Sequence, residues 1–132
     1  MISKAVALKV IEDARAVIAA HERHTRDGDL EAIVAAVADD IVLLAGNAPL
    51  IAGRAAFREF YRDLLARGTW DLEHEYMGAE LVADVVLLHG VARGTFTPVA
   101  GDPQPIRNNF LLMLKREGEA LKVWRGAFAP AQ

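Results

Sequence analysis

Three side chains that can carry acid–base chemistry fall on the predicted apolar faces of two elements: His21, His74 and Tyr76. Histidine titrates near neutral pH, so an imidazole that faces a pocket can act as a general acid or a general base. A phenol can donate a hydrogen bond to an oxygen that gains negative charge during a reaction. These three residues are the catalytic candidates, and the chemistry they suit is proton transfer.

His21 belongs to a predicted first helix that runs from Ala5 to Arg26. An apolar stripe recurs along this helix at spacings of three and four, which places its members on one face. That stripe consists of Ala7, Ile11, Ala14, Ile18, His21 and Thr25. His21 is therefore expected to face a pocket; the alternative is a helix-face histidine that is hydrogen-bonded to a neighbour.

His74 and Tyr76 belong to a predicted strand from Trp70 to Met77 in which side chains alternate strictly. Trp70, Leu72, His74 and Tyr76 share one face, while Asp71, Glu73 and Glu75 share the other, which we expect to be solvated. Two residues along a strand span about 7 Å, so the imidazole and the phenol would enter the same cavity. The alternative is that both are packing residues whose polar atoms are satisfied locally.

Ligand-binding candidates come from aromatic and amide side chains on other strands. Asn108 and Asn109 are consecutive, so only one can face inward, and a buried amide without a partner costs about 1–3 kcal/mol. A ligand, a water or a backbone group would satisfy it. Aromatic walls suit a flat apolar ligand, although ordinary core packing is the competing interpretation. The predicted ligand-binding set is Trp70, Asn108, Phe110, Trp124 and Phe128.

The elements that position these residues follow an α+β order. A second helix is predicted from Leu30 to Ala38, ended by two aspartates, and a third from Gly53 to Ala66 with an aromatic-rich apolar face. Strands are predicted at 41–45, 70–77, 82–97, 106–115 and 120–128. The predicted core face of the third helix is Phe57, Phe60, Tyr61, Leu64 and Leu65.

Composition limits the partners and the compartment. The 132 residues, 53% hydrophobic and 25% charged, predict one globular domain over residues 1–132. A net charge of −3 with dispersed basic residues argues against nucleic acid, and the apolar runs are too short to cross a membrane. The absence of cysteine excludes disulfides and fits a cytoplasmic protein. No metal-ligand motif is present, so neither a metal nor another cofactor is expected.

Three motifs carry a family resemblance. They are A-D-D at 38–40, G-R-A-A-F-R-E-F-Y at 53–61 and W-R-G-A-F at 124–128. They resemble the SnoaL-like and ketosteroid isomerase-like branch of the nuclear transport factor 2-like (NTF2-like) superfamily, over nearly the whole chain. The resemblance implies a conical barrel in which three N-terminal helices pack on a strongly curved, mostly antiparallel sheet around a pocket. It also implies that Trp124 and Phe128 line that pocket.

The catalytic groups of the ketosteroid isomerases do not carry over. The resemblance would place the base aspartate at Ala45, the oxyanion-binding aspartate at Phe110 and the oxyanion-binding tyrosine at His21. None of the three residue types is kept. Ketosteroid isomerisation through that triad is therefore not expected.

Two classes of function remain. The first is a cofactor-free isomerase, cyclase or hydratase that acts on a small apolar carbonyl compound. The second is a non-catalytic ligand-binding or dimerisation module, as many members of this superfamily are. A homodimer through the outer face of the sheet is also predicted, because Val85, Leu87 and Val91 share a strand face with His89 and Arg93.

Overall fold

The computed structural model describes residues 2–131, which form three helices and six strands. The helices precede most of the sheet, and the longest strands follow the third helix. The elements are α1 (Lys4–Asp27), α2 (Leu30–Ala35), β1 (Val37–Ala45), β2 (Ile51–Ala52), α3 (Arg54–Ala66), β3 (Gly68–Val82), β4 (Val85–Pro98), β5 (Gln104–Glu117) and β6 (Ala120–Pro130).

All six strands belong to one sheet in the order β2-β1-β6-β5-β4-β3. Neighbouring strands are antiparallel except for β1 and β6, which are parallel. The predicted α+β architecture of helices on a mostly antiparallel sheet is confirmed. The sheet is an open cone and not a closed barrel, since β2 and β3 remain as its two edges.

The first helix has a well-defined cap at each end, and its predicted extent is confirmed. The Ser3 hydroxyl accepts a hydrogen bond from the backbone N–H of Val6, which satisfies one of the free donors of the first turn. Gly28 ends the helix with φ of 71°, a left-handed conformation that glycine adopts without steric cost. Ala14, Ile18 and Thr25 of the predicted stripe are buried.

The second helix is shorter than predicted. It ends at Ala35, and Val37 already belongs to β1, so the two aspartates that were expected to end a helix lie within a strand. A guanidinium fixes this early start, because Arg54 donates a hydrogen bond to the carbonyl oxygen of Val37 (2.6 Å). The backbone N–H of Asp39 donates to the carboxylate of Glu117 (3.0 Å). These contacts come from distant elements, which local periodicity cannot record.

A turn interrupts the strand that was predicted from Val82 to Thr97. Val82 pairs with Val85, and Ala83 and Asp84 form the two-residue connection between β3 and β4. Ala83 has a φ of 55°, a conformation that two-residue hairpins require but alanine seldom adopts. The prediction was wrong here because no glycine or asparagine marks the turn.

Gly90 and Gly94 of β4 allow the backbone of β3 to approach closely. A Cβ atom at Gly90 would lie 2.0 Å from the carbonyl oxygen of Glu75, and one at Gly94 would lie 1.8 Å from that of Asp71. The register of the pair shifts between Tyr76 and Gly78, which marks a β-bulge in β3. The glycines and the bulge fit the predicted curvature, because bulges bend a strand and increase its twist.

The core lies between the helices and the inner face of the sheet. Ile18, Ile33, Ile41, Leu88 and Leu114 are the largest side chains that are completely or almost completely buried. Within residues 2–131, no helix has the length and apolar character needed to cross a membrane.

Candidate functional site

A cavity of about 290 Å³ lies inside the cone, between α1, α3 and the inner face of the sheet. Its wall is mainly aliphatic and aromatic, with a few polar groups. The polar or titratable side chains of the wall are His21, Glu22, Thr25, Tyr61, His74 and Asn108.

Two short polar contacts in the wall join Glu22 on α1 to His74 on β3. One oxygen of Glu22, Oε2, accepts a hydrogen bond from the backbone N–H of His74 (2.6 Å) and lies 2.8 Å from ring atom Nδ1. A carboxylate only accepts, so Nδ1 carries a proton and Nε2 is left with its lone pair. The side chains are 17% and 12% exposed, so bulk water screens this pair little.

His74 lies in the cavity wall and has one ring nitrogen, Nε2, without a hydrogen-bonding partner within residues 2–131. Nε2 is not completely buried, because the completely buried side-chain polar atom that lacks a partner among these residues is Nε of Arg54. This is the arrangement of a general base whose orientation a carboxylate fixes.

His21 forms a second polar group with Tyr61 and Thr25. Its Nε2 lies 3.3 Å from the Tyr61 hydroxyl and 3.4 Å from Oγ1 of Thr25. The Thr25 hydroxyl donates to the backbone carbonyl of His21 (2.7 Å), so toward the ring Thr25 can only accept. His21 therefore lies in the cavity wall, as expected for a pocket-facing residue. It also has hydrogen-bonding neighbours, as the alternative interpretation predicted.

Burial sets the protonation of this second group. Desolvation, with smaller effects of His74 and His24, lowers the pKa of His21 from 6.5 to about 4. Desolvation also raises the pKa of Tyr61 far above its ordinary value. At neutral pH His21 is therefore a neutral imidazole beside a protonated phenol, and neither group carries charge.

Asn108 is the inward-facing member of the asparagine pair. It lies in the cavity wall, whereas Asn109 is exposed on the opposite face of β5. Within residues 2–131, the side-chain amide of Asn108 has no hydrogen-bonding partner and is not completely buried. Its donors and acceptor are therefore available to a ligand.

The predicted aromatic residues Trp70, Phe110 and Phe128 also lie in the cavity wall. Trp70 is held by a hydrogen bond from its indole N–H to the carbonyl oxygen of Leu64 (2.8 Å) and by stacking on Phe96, with ring centroids 4.1 Å apart. Phe110 contacts His74 edge to face, with centroids 4.8 Å apart. The wall around His74 is thus aromatic.

Tyr76 lies behind His74 and not in the cavity wall, which differs from the expectation that both rings enter one cavity. Its ring is stacked on His74 at a centroid distance of 6.5 Å, and the guanidinium of Arg15 lies 4.9 Å from it. Burial and the neighbouring Glu22 raise the pKa of Tyr76 to about 12. Alternation thus places both rings on one face of β3 correctly, but Tyr76 packs against Phe110 and Arg15 and does not line the cavity.

Trp124 also lies outside the cavity wall, contrary to the sequence prediction. The register between β5 and β6 shifts next to it, because Met113 pairs with Arg125 but Leu114 pairs with Val123. This bulge breaks the alternation that would have placed Trp124 on the face of Phe128. Its indole N–H instead donates to Asp40 (3.2 Å), and its ring lies between Lys115 and Arg125.

Three residues of the site were not predicted as functional: Glu22, Thr25 and Tyr61. Thr25 and Tyr61 were assigned to apolar faces of α1 and α3, which is where they lie. Glu22 follows His21 directly, and no local pattern signals that it would contact β3. The available signal was weak: a glutamate beside the apolar stripe of a helix.

Charged residue types are scarce in the cavity wall. Among residues 2–131, neither lysine nor arginine lines it, and its carboxylate is that of Glu22. The same residues contain no cluster of three or more histidine, cysteine, aspartate or glutamate side chains that would hold a metal ion.

Solved structures identify the class of fold. A ketosteroid isomerase-like protein from Erwinia carotovora atroseptica superposes with a TM-score of 0.82 at 20% identity, covering 92% of this chain and 96% of that chain. A protein provisionally named scytalone dehydratase, from Novosphingobium aromaticivorans, gives 0.81 at 9% identity, covering 95% and 86%. One provisionally named as an NTF2-like dehydratase, from Streptomyces avermitilis, gives 0.76 at 14%, covering 94% and 97%. The fold is that of the NTF2-like superfamily.

The family follows from the sequence itself. The sequence profile of the SnoaL-like domain matches residues 14–124, which is most of the chain. The protein therefore belongs to the SnoaL-like family, as the three motifs predicted. A search of curated proteins finds no match.

Proposed function

We propose that this protein is a cofactor-free acid–base enzyme of the isomerase, cyclase or dehydratase type, acting on a small, mostly apolar carbonyl compound. The observation that carries this proposal is the pair of Glu22 and His74 in the cavity wall. His74 is the general base, and Glu22 fixes its tautomer and stabilises the imidazolium that forms.

The reaction begins with proton transfer to His74. Nε2 removes a proton from the carbon next to the substrate carbonyl, and the electron pair left behind forms the enolate. Return of the proton from His74 to a different carbon completes an isomerisation. In a dehydration the enolate instead expels the β-hydroxyl group, which takes the proton from His74 and leaves as water. In both cases His74 ends the cycle as the neutral base.

The enolate oxygen needs a hydrogen-bond donor, and Asn108 supplies it in this proposal. Its amide N–H groups are free to reach a ligand, and a preorganised donor is strongest in a site that excludes water. The phenol of Tyr61, with neutral His21 behind it, is the second candidate donor. Apolar walls from Trp70 and Phe110 exclude water from the ring of the substrate.

The solved relatives give secondary support. Two of them are provisionally named as dehydratases and one as ketosteroid isomerase-like, and both reaction types need a base in an apolar pocket. At these low identities the resemblance extends to the fold alone, so catalysis is supported chiefly by His74 and Glu22.

The test is proton exchange into a generic carbonyl probe. In D₂O at pD 7.5, we expect the protein to accelerate deuterium incorporation next to the carbonyl of 2-tetralone, as followed by proton NMR. His74→Gln should lower the catalysed rate by about 10²–10⁴-fold, the usual contribution of a general base. His89→Gln is the matched control, since His89 is exposed on the outer face of β4.

Equal exchange rates in the parent and in His74→Gln would refute the catalytic proposal. The ligand-binding module would then be the better interpretation. One observation favours that second function: positions 45 and 110, where the resemblance places catalytic aspartates, hold alanine and phenylalanine in buried sites. Binding of 2-tetralone without any acceleration of exchange is the result this second function predicts.

We also propose that the protein forms a homodimer through the outer face of the sheet. Leu44 and Leu111 are 53% and 42% exposed there, beside a shallow depression that Val42 and Met113 also line. In the register of the sheet, Leu111 lies opposite His89 and Met113 opposite Leu87, so this surface continues onto β4. Its most exposed apolar residues lie on β1 and β5, whereas Val91 of the predicted set is buried.

A further inference from the structure

We propose that the ligand of this cavity is uncharged, and that Glu22 makes the cavity select against carboxylates of the same shape. This inference rests on the proposed function, since it concerns the substrate of the same site. It follows from which charges the cavity wall contains and which it lacks.

The titratable side chains of the cavity wall are Glu22, His74, His21 and Tyr61. Glu22 is the carboxylate of the described wall, and its Oε2 accepts hydrogen bonds from the backbone N–H and from Nδ1–H of His74. Nε2 of His74, a residue of the same wall, has no hydrogen-bonding partner within residues 2–131. His21 and Tyr61 are neutral, because burial lowers the pKa of the first and raises that of the second. The described residues of the wall therefore supply one carboxylate and neither a lysine nor an arginine.

Two arginines of α1 approach residues of β3 but lie outside the cavity wall. The guanidinium of Arg15 lies 4.9 Å from the centre of the Tyr76 ring, and Arg26 pairs with Asp71 on the exposed face of β3 at 3.2 Å. Neither belongs to the cavity wall. A ligand carboxylate would therefore lose its hydration without gaining a cationic partner, which is costly in an apolar site.

The cavity wall also has polar groups that suit an uncharged ligand. The lone pair at Nε2 of His74 suits an O–H group or an acidic C–H group on the ligand. The free amide of Asn108 suits a carbonyl oxygen. The remaining wall is apolar and aromatic, so the ligand is a flat, largely apolar molecule with an uncharged oxygen function at one end.

The experiment compares two ligands that have nearly the same shape and differ in charge. Isothermal titration calorimetry at pH 7.5 measures the dissociation constants of 2-naphthamide and 2-naphthoate. We expect 2-naphthamide to bind at least about tenfold more tightly, since an unpaired buried charge costs more than 1.4 kcal/mol. Glu22→Gln should reduce this ratio severalfold, mainly by improving the binding of 2-naphthoate.

The matched control is Glu73→Gln. Glu73 lies next to His74 on β3, but it is exposed on the other face of the strand. Its removal changes the net charge of the protein by the same amount as Glu22→Gln. We expect it to leave the ratio of the two dissociation constants unchanged, because solvent screens its charge from the cavity.

Equal or tighter binding of 2-naphthoate by the parent protein would overturn the inference. Failure of 2-naphthamide to bind at millimolar concentration would also overturn it. The outcome is separate from that of the proton-exchange test, because binding needs no turnover. A charge preference without exchange activity would leave the inference standing and remove the catalytic function, whereas exchange without a charge preference would do the reverse.

Discussion

Glu22 and His74 are 52 positions apart in the chain, yet a single carboxylate oxygen of Glu22 contacts both the backbone nitrogen and the ring nitrogen Nδ1 of His74. The two contacts restrain His74 in two ways. One fixes the strand backbone against α1, and the other fixes the imidazole ring. The ring of His74, in the cavity wall, is consequently held in one orientation with Nδ1 toward Glu22. A base that is held in this way loses little entropy when the substrate arrives.

Glu22→Gln tests how much of the catalysis depends on this pair. The amide keeps an acceptor for the two N–H groups but no longer stabilises a positive ring, so the catalysed exchange of 2-tetralone should slow by about tenfold. The loss should appear in kcat and leave KM within about twofold, because the group does not hold the substrate ground state. A change confined to KM would show that Glu22 shapes the binding site and does not assist the base.

His21 should make the stability of the protein depend on pH. Its folded-state pKa of about 4 lies below the ordinary value of 6.5, so between these values the unfolded chain binds a proton that the folded chain does not. The stabilisation of the folded state that results from this pKa difference is complete above pH 6.5 and is lost as the pH falls toward 4. From pH 7.5 to pH 5 the loss is about 2 kcal/mol.

Urea unfolding of the parent and of His21→Gln at pH 7.5 and pH 5 measures this contribution. Glutamine is similar in size and does not titrate, so the free energy of unfolding of the variant should fall less between the two pH values. Parallel pH dependences in the two proteins would mean that His21 can take up a proton without cost, and thus that it is open to solvent.

Tyr61→Phe tests the hydrogen bond to His21. Removing the hydroxyl leaves Nε2 of His21 with Thr25 at 3.4 Å, so the free energy of unfolding should fall by about 1 kcal/mol. Tyr76→Phe is the matched control, because within residues 2–131 the Tyr76 hydroxyl has no hydrogen-bonding partner. Equal losses in the two variants, measured by urea unfolding, would contradict the assignment of that bond.

Leu111→Glu tests the proposed dimer. A charge at this position would lie in the middle of the apolar surface on the outer face, and its desolvation in an interface is unfavourable. Sedimentation velocity at micromolar concentration should show a dimer for the parent and a monomer for the variant. Glu80→Gln, on the same face but at β3, should leave the dimer intact, and a parent protein that sediments as a monomer would refute the proposal.

The sequence alone predicted the three helices and the five longer strands, with errors at the ends of α2 and β4, and it predicted the inward faces of α1 and β3. The spacing of Ala14, Ile18 and Thr25 on α1 and the alternation from Trp70 to Tyr76 on β3 both predicted which side chains turn inward. These two patterns are sufficient to assign His21 and His74 to inward faces. Periodicity succeeds here because burial of one face imposes a repeat of 3.6 or 2 residues on the sequence.

The tertiary structure decided which inward residues meet. Glu22 is paired with His74 because α1 crosses β3 at one particular register, and no repeat in either element encodes that register. A bulge at Trp124 turns that side chain away from the cavity wall, and Tyr76 packs against Phe110 and Arg15 on the inward face without lining the cavity. Local pattern thus specifies the direction of a side chain within its element, and only the packing of distant elements specifies its partner.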